Sequence, residues 1–286
     1  MLSDYLKLCL QYTLPKKNLT LLAGVLANVK NSRIKNAIIH RFICQYNVNM
    51  SEAYEEDPES YESFNAFFIR HLKPKCRPIA NSDIISPVDG YLSEMGKINS
   101  GTLLQAKGRH YSVRELLGGN SKHSDAFHQG LFVTFYLSPS DYHRVHMPFT
   151  GTLQEMIYLP GKLFSVQPAT TRMKPNLFAR NERLVVFFET SIGLMAMVLV
   201  GATIVGAIGT DWHGDIKRSR KPQHFVYTGS HHSPLTLQKA AEMGYFKLGS
   251  TVILLFADNQ RLCWQDGLKS GDKIHFGEAI GSLISA

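Results

Sequence analysis

Three short stretches of this 286-residue chain hold side chains that could move a proton or attack a carbonyl. Tyr142-His143-Arg144-Val145-His146-Met147-Pro148 carries two imidazoles three positions apart. Histidine titrates nearest neutrality, so such a pair suits proton transfer or metal binding. On a helix the two rings would share a face, whereas in extended chain they point to opposite sides. Pro148 disfavours helix here, and no third ligand stands at a suitable spacing, so no metal is expected. Either one histidine acts as a base while the other meets a different group, or both are structural. Leu248-Gly249-Ser250-Thr251 offers a serine between two strand-like runs. Gly-Ser at such a junction is ordinarily a bend, but a serine beside a base is a nucleophile. No Gly-x-Ser-x-Gly elbow surrounds it. Ser86-Pro87-Val88-Asp89-Gly90 adds a carboxylate in a turn, where Asp commonly bonds its own backbone. The order Asp89, His146, Ser250 is compatible with a charge relay, although order in sequence says nothing about proximity.

The elements that must position these residues change character along the chain. Residues 1 to 50 show helical apolar spacing: Leu2, Tyr5, Leu6, Cys9 and Leu10, then Leu22, Val25, Leu26 and Val29, then Ile34, Ile38 and Phe42. Pro15 separates the first helix from the second. Asp57-Pro58 predicts a further helix, with Asp as N-cap and Pro in the first turn, burying Tyr61, Phe64, Phe67 and Phe68. Pro74 and Pro78 close it. Beyond about residue 80, short β-branched and aromatic runs alternate with Gly, Pro and Asn turns. Strands are predicted at Leu131 to Leu137, Leu153 to Leu159, Leu184 to Phe188, Tyr245 to Leu248 and Thr251 to Phe256. Two short helices interrupt them. One starts at the capping box Ser112-Val113-Arg114-Glu115 and stops at Gly118-Gly119. The other runs from Leu237 to Met243 and stops at Gly244. Thr190 to Thr210 lacks any charge, long enough to cross a bilayer. Gly193, Gly201, Gly206 and Gly209 interrupt it, and Met195 to Val200 and Thr203 to Val205 read as buried strands instead.

Hydrophobic residues at 44% and charged residues at 19% exclude intrinsic disorder, and 22 Gly without a short period exclude collagen. The net charge of +8 is concentrated at the start: Lys7, Lys16, Lys17, Lys30, Arg33, Lys35 and Arg41 face only Asp4 within residues 1 to 50. A basic amphipathic helical hairpin suits an anionic membrane surface; the alternative is an ordinary helical cap with a solvated basic face. No motif for nucleic acid is present. Cys9, Cys44, Cys76 and Cys263 stand far apart, which fits a reducing cytosolic setting. No secretory signal is legible at the start.

The three chemical stretches together resemble the bacterial phosphatidylserine decarboxylases. Further likeness lies in Ala106-Lys107-Gly108 through Tyr111-Ser112-Val113, in Pro175 to Arg183, and in Val200 to Gly206. The resemblance spans the chain from about residue 60 and is looser in the N-terminal helices and in Asp211 to Ser233. It implies an α+β protein: a helical membrane-associating region, 1–75, then a β-rich, mainly antiparallel catalytic domain, 76–286. It implies a proenzyme in which Ser250 attacks the carbonyl of Gly249, His146 acts as base and Asp89 orients it. A β chain, 1–249, and an α chain, 250–286, would result, with Ser250 converted to a pyruvoyl group, the cofactor pyruvate. By the same resemblance His143 serves the decarboxylation half, positioning the substrate carboxylate or supplying the proton. Phosphatidylserine, an anionic membrane surface and a second processed copy are the implied partners. Attachment is expected to be peripheral, on the cytoplasmic face of the inner membrane. Three other readings stay open: a serine hydrolase using Asp89, His146 and Ser250 on other molecules, a pyruvoyl decarboxylase of a soluble amino acid, and a non-enzymatic membrane-binding domain.

Overall fold

The computed structural model describes residues 16–106, 108–119, 121–203, 207–229, 233–247, 250–257 and 260–284. The predicted first helix, Pro15, Gly249 and the stretch Ile204 to Gly206 lie outside them.

Helices α1 (Lys16–Ala27), α2 (Ser32–Tyr46) and α3 (Phe64–Phe68) come first. Asn31 caps α2 by accepting from the Ile34 N–H, and Asn47 ends it in the left-handed conformation. The face that α2 buries is centred on Ile39, with Phe42 packed against the same core, while Ile34 is exposed. The helix predicted from Asp57 is split. Asp57 caps only a 3-10 turn, Pro58–Ser60, and Ser63 in extended conformation starts α3 afresh. Phe64, Phe67 and Phe68 are buried as expected, and Phe42 meets all three at 5.0 to 6.0 Å in edge-on geometry. Two of the basic residues among those described have partners, one buried and one at the surface. Lys35 is buried and donates to the Glu59 carbonyl and to Asn36, and Lys30 pairs with Glu62.

The strands follow: β1 (Ile84–Ile85), β2 (Gly90–Lys97), β3 (Thr102–Ala106), β4 (Arg109–Ser112), β5 (Leu131–Leu137), β6 (Arg144–His146), β7 (Gly151–Leu159), β8 (Arg183–Thr190) and β9 (Gly193–Gly201). Then come β10 (Ala207–Thr210), β11 (Gly214–Asp215), β12 (Gln223–Val226), β13 (Thr236–Leu237), β14 (Glu242–Lys247), β15 (Ser250–Phe256), β16 (Leu262–Trp264), β17 (Lys273–Ile274) and β18 (Ala279–Leu283). The large sheet runs β12-β7-β8-β9-β15-β5-β2-β17, with β13 also on β7. A second sheet runs β11-β10-β14-β6, a third β1-β18-β16, and β3 pairs β4. Every ladder between these strands is antiparallel, in line with the mainly antiparallel domain that the resemblance implies.

Both faces of the central strands β5, β8, β9 and β15 of the large sheet are buried. Val252, Leu254 and Phe256 join Met197 and Leu199 against Val145, Ile208, Met243 and Phe246 of the second sheet. Ile253, Leu255 and Val198 face the other way, against Val113, Leu116, Phe127 and Phe178. Two-sided burial explains the uncharged run from Thr190 to Thr210: strands with no wet face have no place for charge. No helix among the described residues is long and apolar enough to cross a membrane.

The helix predicted over Leu237 to Met243 is absent. Leu237 ends β13, Ala240 has φ of +70°, and Glu242 begins β14. Seven residues are too few to nucleate a helix alone, and here both flanks find sheet partners instead. Gly244 belongs to that pairing, since a Cβ there would meet the Gly209 carbonyl oxygen at 2.3 Å. The box at Ser112 does form a helical turn, α4 (Val113–Leu116), followed by Gly118 and Gly119 at positive φ.

Candidate active site

Ser250 opens β15, which lies between β5 and β9 with Leu137 and Gly201 as its register partners. It is fully buried. By strand alternation its side chain shares the face of Val252 and Leu254, the one turned to the second sheet. Buried Asn181 steadies the neighbouring strand end. Its amide donates to the Gly201 and Phe164 carbonyls at 2.9 and 2.8 Å, and its Oδ1 accepts from the Phe164 N–H at 3.1 Å.

His143 arrives from the turn between β5 and β6 and presents Nδ1 to the Ser250 Oγ at 3.5 Å. Its Nε2–H donates to the Ser138 carbonyl at 3.0 Å, which leaves Nδ1 with its lone pair toward the serine hydroxyl. That carbonyl is fixed by Asp141, whose Oδ2 accepts from the Ser138 N–H and hydroxyl, both at 2.7 Å. Phe68 of α3 stacks on the imidazole at 4.1 Å. Burial, helped by the positive charge of Arg70, pushes the His143 pKa down to about 3, so the ring is neutral.

His146, on β6, stacks on Phe276 at 3.7 Å. Its Nδ1–H donates to the Ala240 carbonyl at 3.0 Å and its Nε2 accepts from the Tyr142 hydroxyl at 3.1 Å. Burial pushes this pKa down as well, to about 4. Asp89 sits in the loop threaded beside it, where the His146 N–H donates to the Pro87 carbonyl. Arg77 grips the Asp89 carboxylate through Nε at 3.0 Å and Nη2 at 2.6 Å, and the Phe276 N–H donates to it at 2.8 Å. Arg77 Nη2 also reaches Glu52 at 2.8 Å. Burial works against the Arg77 charge, but these two carboxylates outweigh it and raise the pKa. At Gly90, after the aspartate, a Cβ would meet the Tyr136 carbonyl oxygen at 2.4 Å, so the loop needs glycine to enter the sheet.

The structure thus brings Asp89, His143, His146 and Ser250 into one buried region without a hydrogen-bonded relay from Asp89 through His146 to Ser250, the arrangement that the resemblance implies. No hydrogen bond joins Asp89 to His146 or His146 to Ser250; His143 is the imidazole that meets the serine, and Asp89 is held by Arg77. The two histidines do meet different partners, as extended chain requires. Sequence reasoning missed Arg77, Tyr142, Phe276 and the second role of Phe68. Only Tyr142 lay inside a flagged motif, and nothing in the local sequence marks the others. No group of three or more His, Cys, Asp or Glu among the described residues is arranged to hold a metal. Beside the site lies a polar cavity of about 210 Å³, lined in part by Arg70, Arg77, Asp89, Asp141, Tyr142 and Lys273.

The family model described as phosphatidylserine decarboxylase matches residues 64–282, and a second, described as PSD, matches 6–47. Among curated relatives, the phosphatidylserine decarboxylase proenzyme of Legionella pneumophila strain Lens is 58% identical over 283 residues, covering 99% of this chain and 100% of the relative. The proenzymes of Shewanella denitrificans and Idiomarina loihiensis are 49% and 47% identical, each covering 98% of this chain and, respectively, 98% and 97% of the relative.

Proposed function

Because the chain belongs to the phosphatidylserine decarboxylase family, we propose that it cuts itself between Gly249 and Ser250 and then, with a pyruvoyl group at residue 250, converts phosphatidylserine to phosphatidylethanolamine in phospholipid biosynthesis. The observation that carries this reading is the buried Ser250 hydroxyl facing the neutral Nδ1 of His143. A pyruvoyl group has a keto oxygen and a methyl where serine has its nitrogen and hydroxymethyl, so it needs no more room than Ser250 occupies. The imidazole beside it can take and return a proton.

In the first step the Ser250 Oγ bonds to the Gly249 carbonyl carbon, the Gly249–Ser250 C–N bond breaks, and an ester joins the two pieces. Loss of the residue-250 α-proton then breaks the Cβ–O bond and frees the carboxylate of the 1–249 piece. Water converts the remaining dehydroalanine to a ketone, releasing ammonia. In turnover the pyruvoyl group supplies an electron sink when carbon dioxide leaves. His143, against residue 250, moves the proton that replaces carbon dioxide on the substrate α-carbon. Exclusion of water by Phe68 and the surrounding strands keeps the imidazole neutral for that task.

His146, with Asp89 nearby, is the base for self-cleavage in this reading. The contact of His143 with the Ser250 Oγ favours a second reading, in which His143 takes the serine proton as well. Intact mass separates them. Ser250→Ala must remain one full-length chain in either case. His146→Ala uncut and His143→Ala cut supports the first reading, and the reverse supports the second. A single unmodified species from the unaltered protein would refute self-cleavage altogether. The division into a membrane-associating 1–75 and a catalytic 76–286 is part of the proposal. It is supported by exposed Leu22, Val25, Leu26 and Ile34 on the basic helical segment. Docking there would be peripheral, on the cytoplasmic face of the inner membrane. Pairing of two processed copies rests on the resemblance alone.

A further inference from the structure

Arg70 has no task in the steps above, yet it is only 5% exposed. Among the described residues its Nε and Nη1 have no hydrogen-bond partner, and Nη2 reaches the Ser140 carbonyl only at 3.4 Å. The guanidinium rests over the Phe67 ring at 5.2 Å. Asp89, Glu52 and Asp141 act on it only through space, and a buried guanidinium without a hydrogen-bonded anion is costly, so the open donors mark a place where a negative group belongs. They belong to a residue lining the polar 210 Å³ cavity. The carboxylates there are engaged: Asp89 and Glu52 hold Arg77, and Asp141 holds Ser138. Arg70 and Lys273 are the cations of that lining without a hydrogen-bonded anion among the described residues. Lys273 lies at the exposed edge, 5.9 Å from the Tyr91 ring centre. Arg70 is close enough to His143 to depress its basicity, and Phe68, two residues earlier, stacks on that ring.

We propose that Arg70 holds the phosphodiester of the substrate headgroup in this cavity, with Lys273 as a second positive charge at its mouth. The assignment rests on the reaction proposed at residue 250. Phosphatidylserine carries two anions, and they differ in what a bound cation does to the rate. The carboxylate loses its charge as carbon dioxide leaves, so a guanidinium on it would stabilise the ground state and slow the step. The phosphodiester keeps its charge throughout and sits three bonds from the α-carbon. Gripping it orients the reacting carbon beside His143 at no cost to the barrier.

The test uses purified full-length protein in mixed micelles, after mass spectrometry has shown both fragments. Steady-state kinetics with phosphatidylserine are combined with inhibition by glycerophosphoethanolamine, which has the phosphate but no carboxylate, and by serine and inorganic phosphate. Arg70→Gln should raise KM about tenfold or more and weaken glycerophosphoethanolamine inhibition in proportion, and Arg70→Lys should restore part of both. Inorganic phosphate and serine should inhibit the unaltered enzyme far less than glycerophosphoethanolamine. A raised KM with unchanged glycerophosphoethanolamine inhibition would assign Arg70 to the carboxylate and overturn the proposal. Equal inhibition by inorganic phosphate would overturn the headgroup assignment. If neither Arg70 variant matures, Lys273→Gln, on the surface, must still weaken glycerophosphoethanolamine inhibition; no change overturns the site. Failure of the unaltered chain to yield two fragments counts against the reaction instead, and calorimetry of glycerophosphoethanolamine on the intact chain and on Arg70→Gln then decides the Arg70 question.

Discussion

The helical segment and the sheets distribute their apolar side chains in opposite ways. Around α1 to α3, a small core of Ala27, Ile39, Val48, Phe64, Phe67 and Phe68 coexists with Leu22, Val25, Leu26 and Ile34 exposed at 45% to 66%. In the sheets, β8, β9 and β15 are covered on both faces and expose no large apolar side chain. A surface helix normally turns such a row inward. A row left outward in one region, beside central strands with nothing left over, separates the face proposed above for docking from the frame packed around residue 250. Phe68 crosses the divide, since it belongs to the helical core and also lies flat on His143.

The sharpest way to break this contrast is at His143. His143→Ala should leave the frame folded and reduce turnover by about 10² to 10⁴-fold, read from phosphatidylethanolamine formation per processed enzyme. Near-normal turnover would remove chemistry from the frame. Phe68→Ala comes next, because it touches both regions. It should cost about 3–5 kcal/mol in denaturant unfolding and lower kcat as well. A stability loss with kcat intact would make Phe68 a packing residue only. Acid should act on the frame in a definite direction. Folded His143 and His146 stay neutral down to about 3 and about 4, while an unfolded imidazole takes its proton near 6.5. Between those values the unfolded state binds more protons, so stability is full above pH 6.5 and declines as pH falls toward 4. The midpoint temperature of uncut Ser250→Ala, followed from pH 7 to pH 4.5, should fall, and a His143→Gln, His146→Asn pair should flatten the decline. The smallest effect on stability belongs to Leu22, Val25 and Leu26 changed together to Ser. Their midpoint temperature should hardly move, but sedimentation with anionic vesicles should drop several-fold. Undiminished vesicle binding would return this face to an ordinary surface.

What the sequence revealed follows from what is local. The runs at Leu131, Leu184 and Thr251 are strands because short apolar segments rich in β-branched and aromatic residues, bounded by turn residues, suit a sheet covered on both sides. Ser112 caps its helical turn because the cap is made within four residues. Local reasoning failed wherever a distant backbone decided. Leu237 to Met243 has helix-forming residues, but its two ends are claimed by different sheets. Which histidine meets Ser250 depends on the Ser138 carbonyl and on Phe68, neither of which the motif contains. Arg77 as the holder of Asp89, and Arg70 as a buried cation with no hydrogen-bonded anion among the described residues, are facts of burial and distance that no spacing announces.

Under the self-cleavage proposed above, the position of β15 sets the order of events in the life of the molecule. Ser250 acquires its neighbours only when β5 has zipped along one side of that strand and β9 along the other. A chain still in assembly therefore has a serine with nothing to hand its proton to. Under the proposed scission, the nick is a receipt for finished folding, and counting nicked molecules in a pulse-labelled culture would clock sheet closure without a spectroscopic probe.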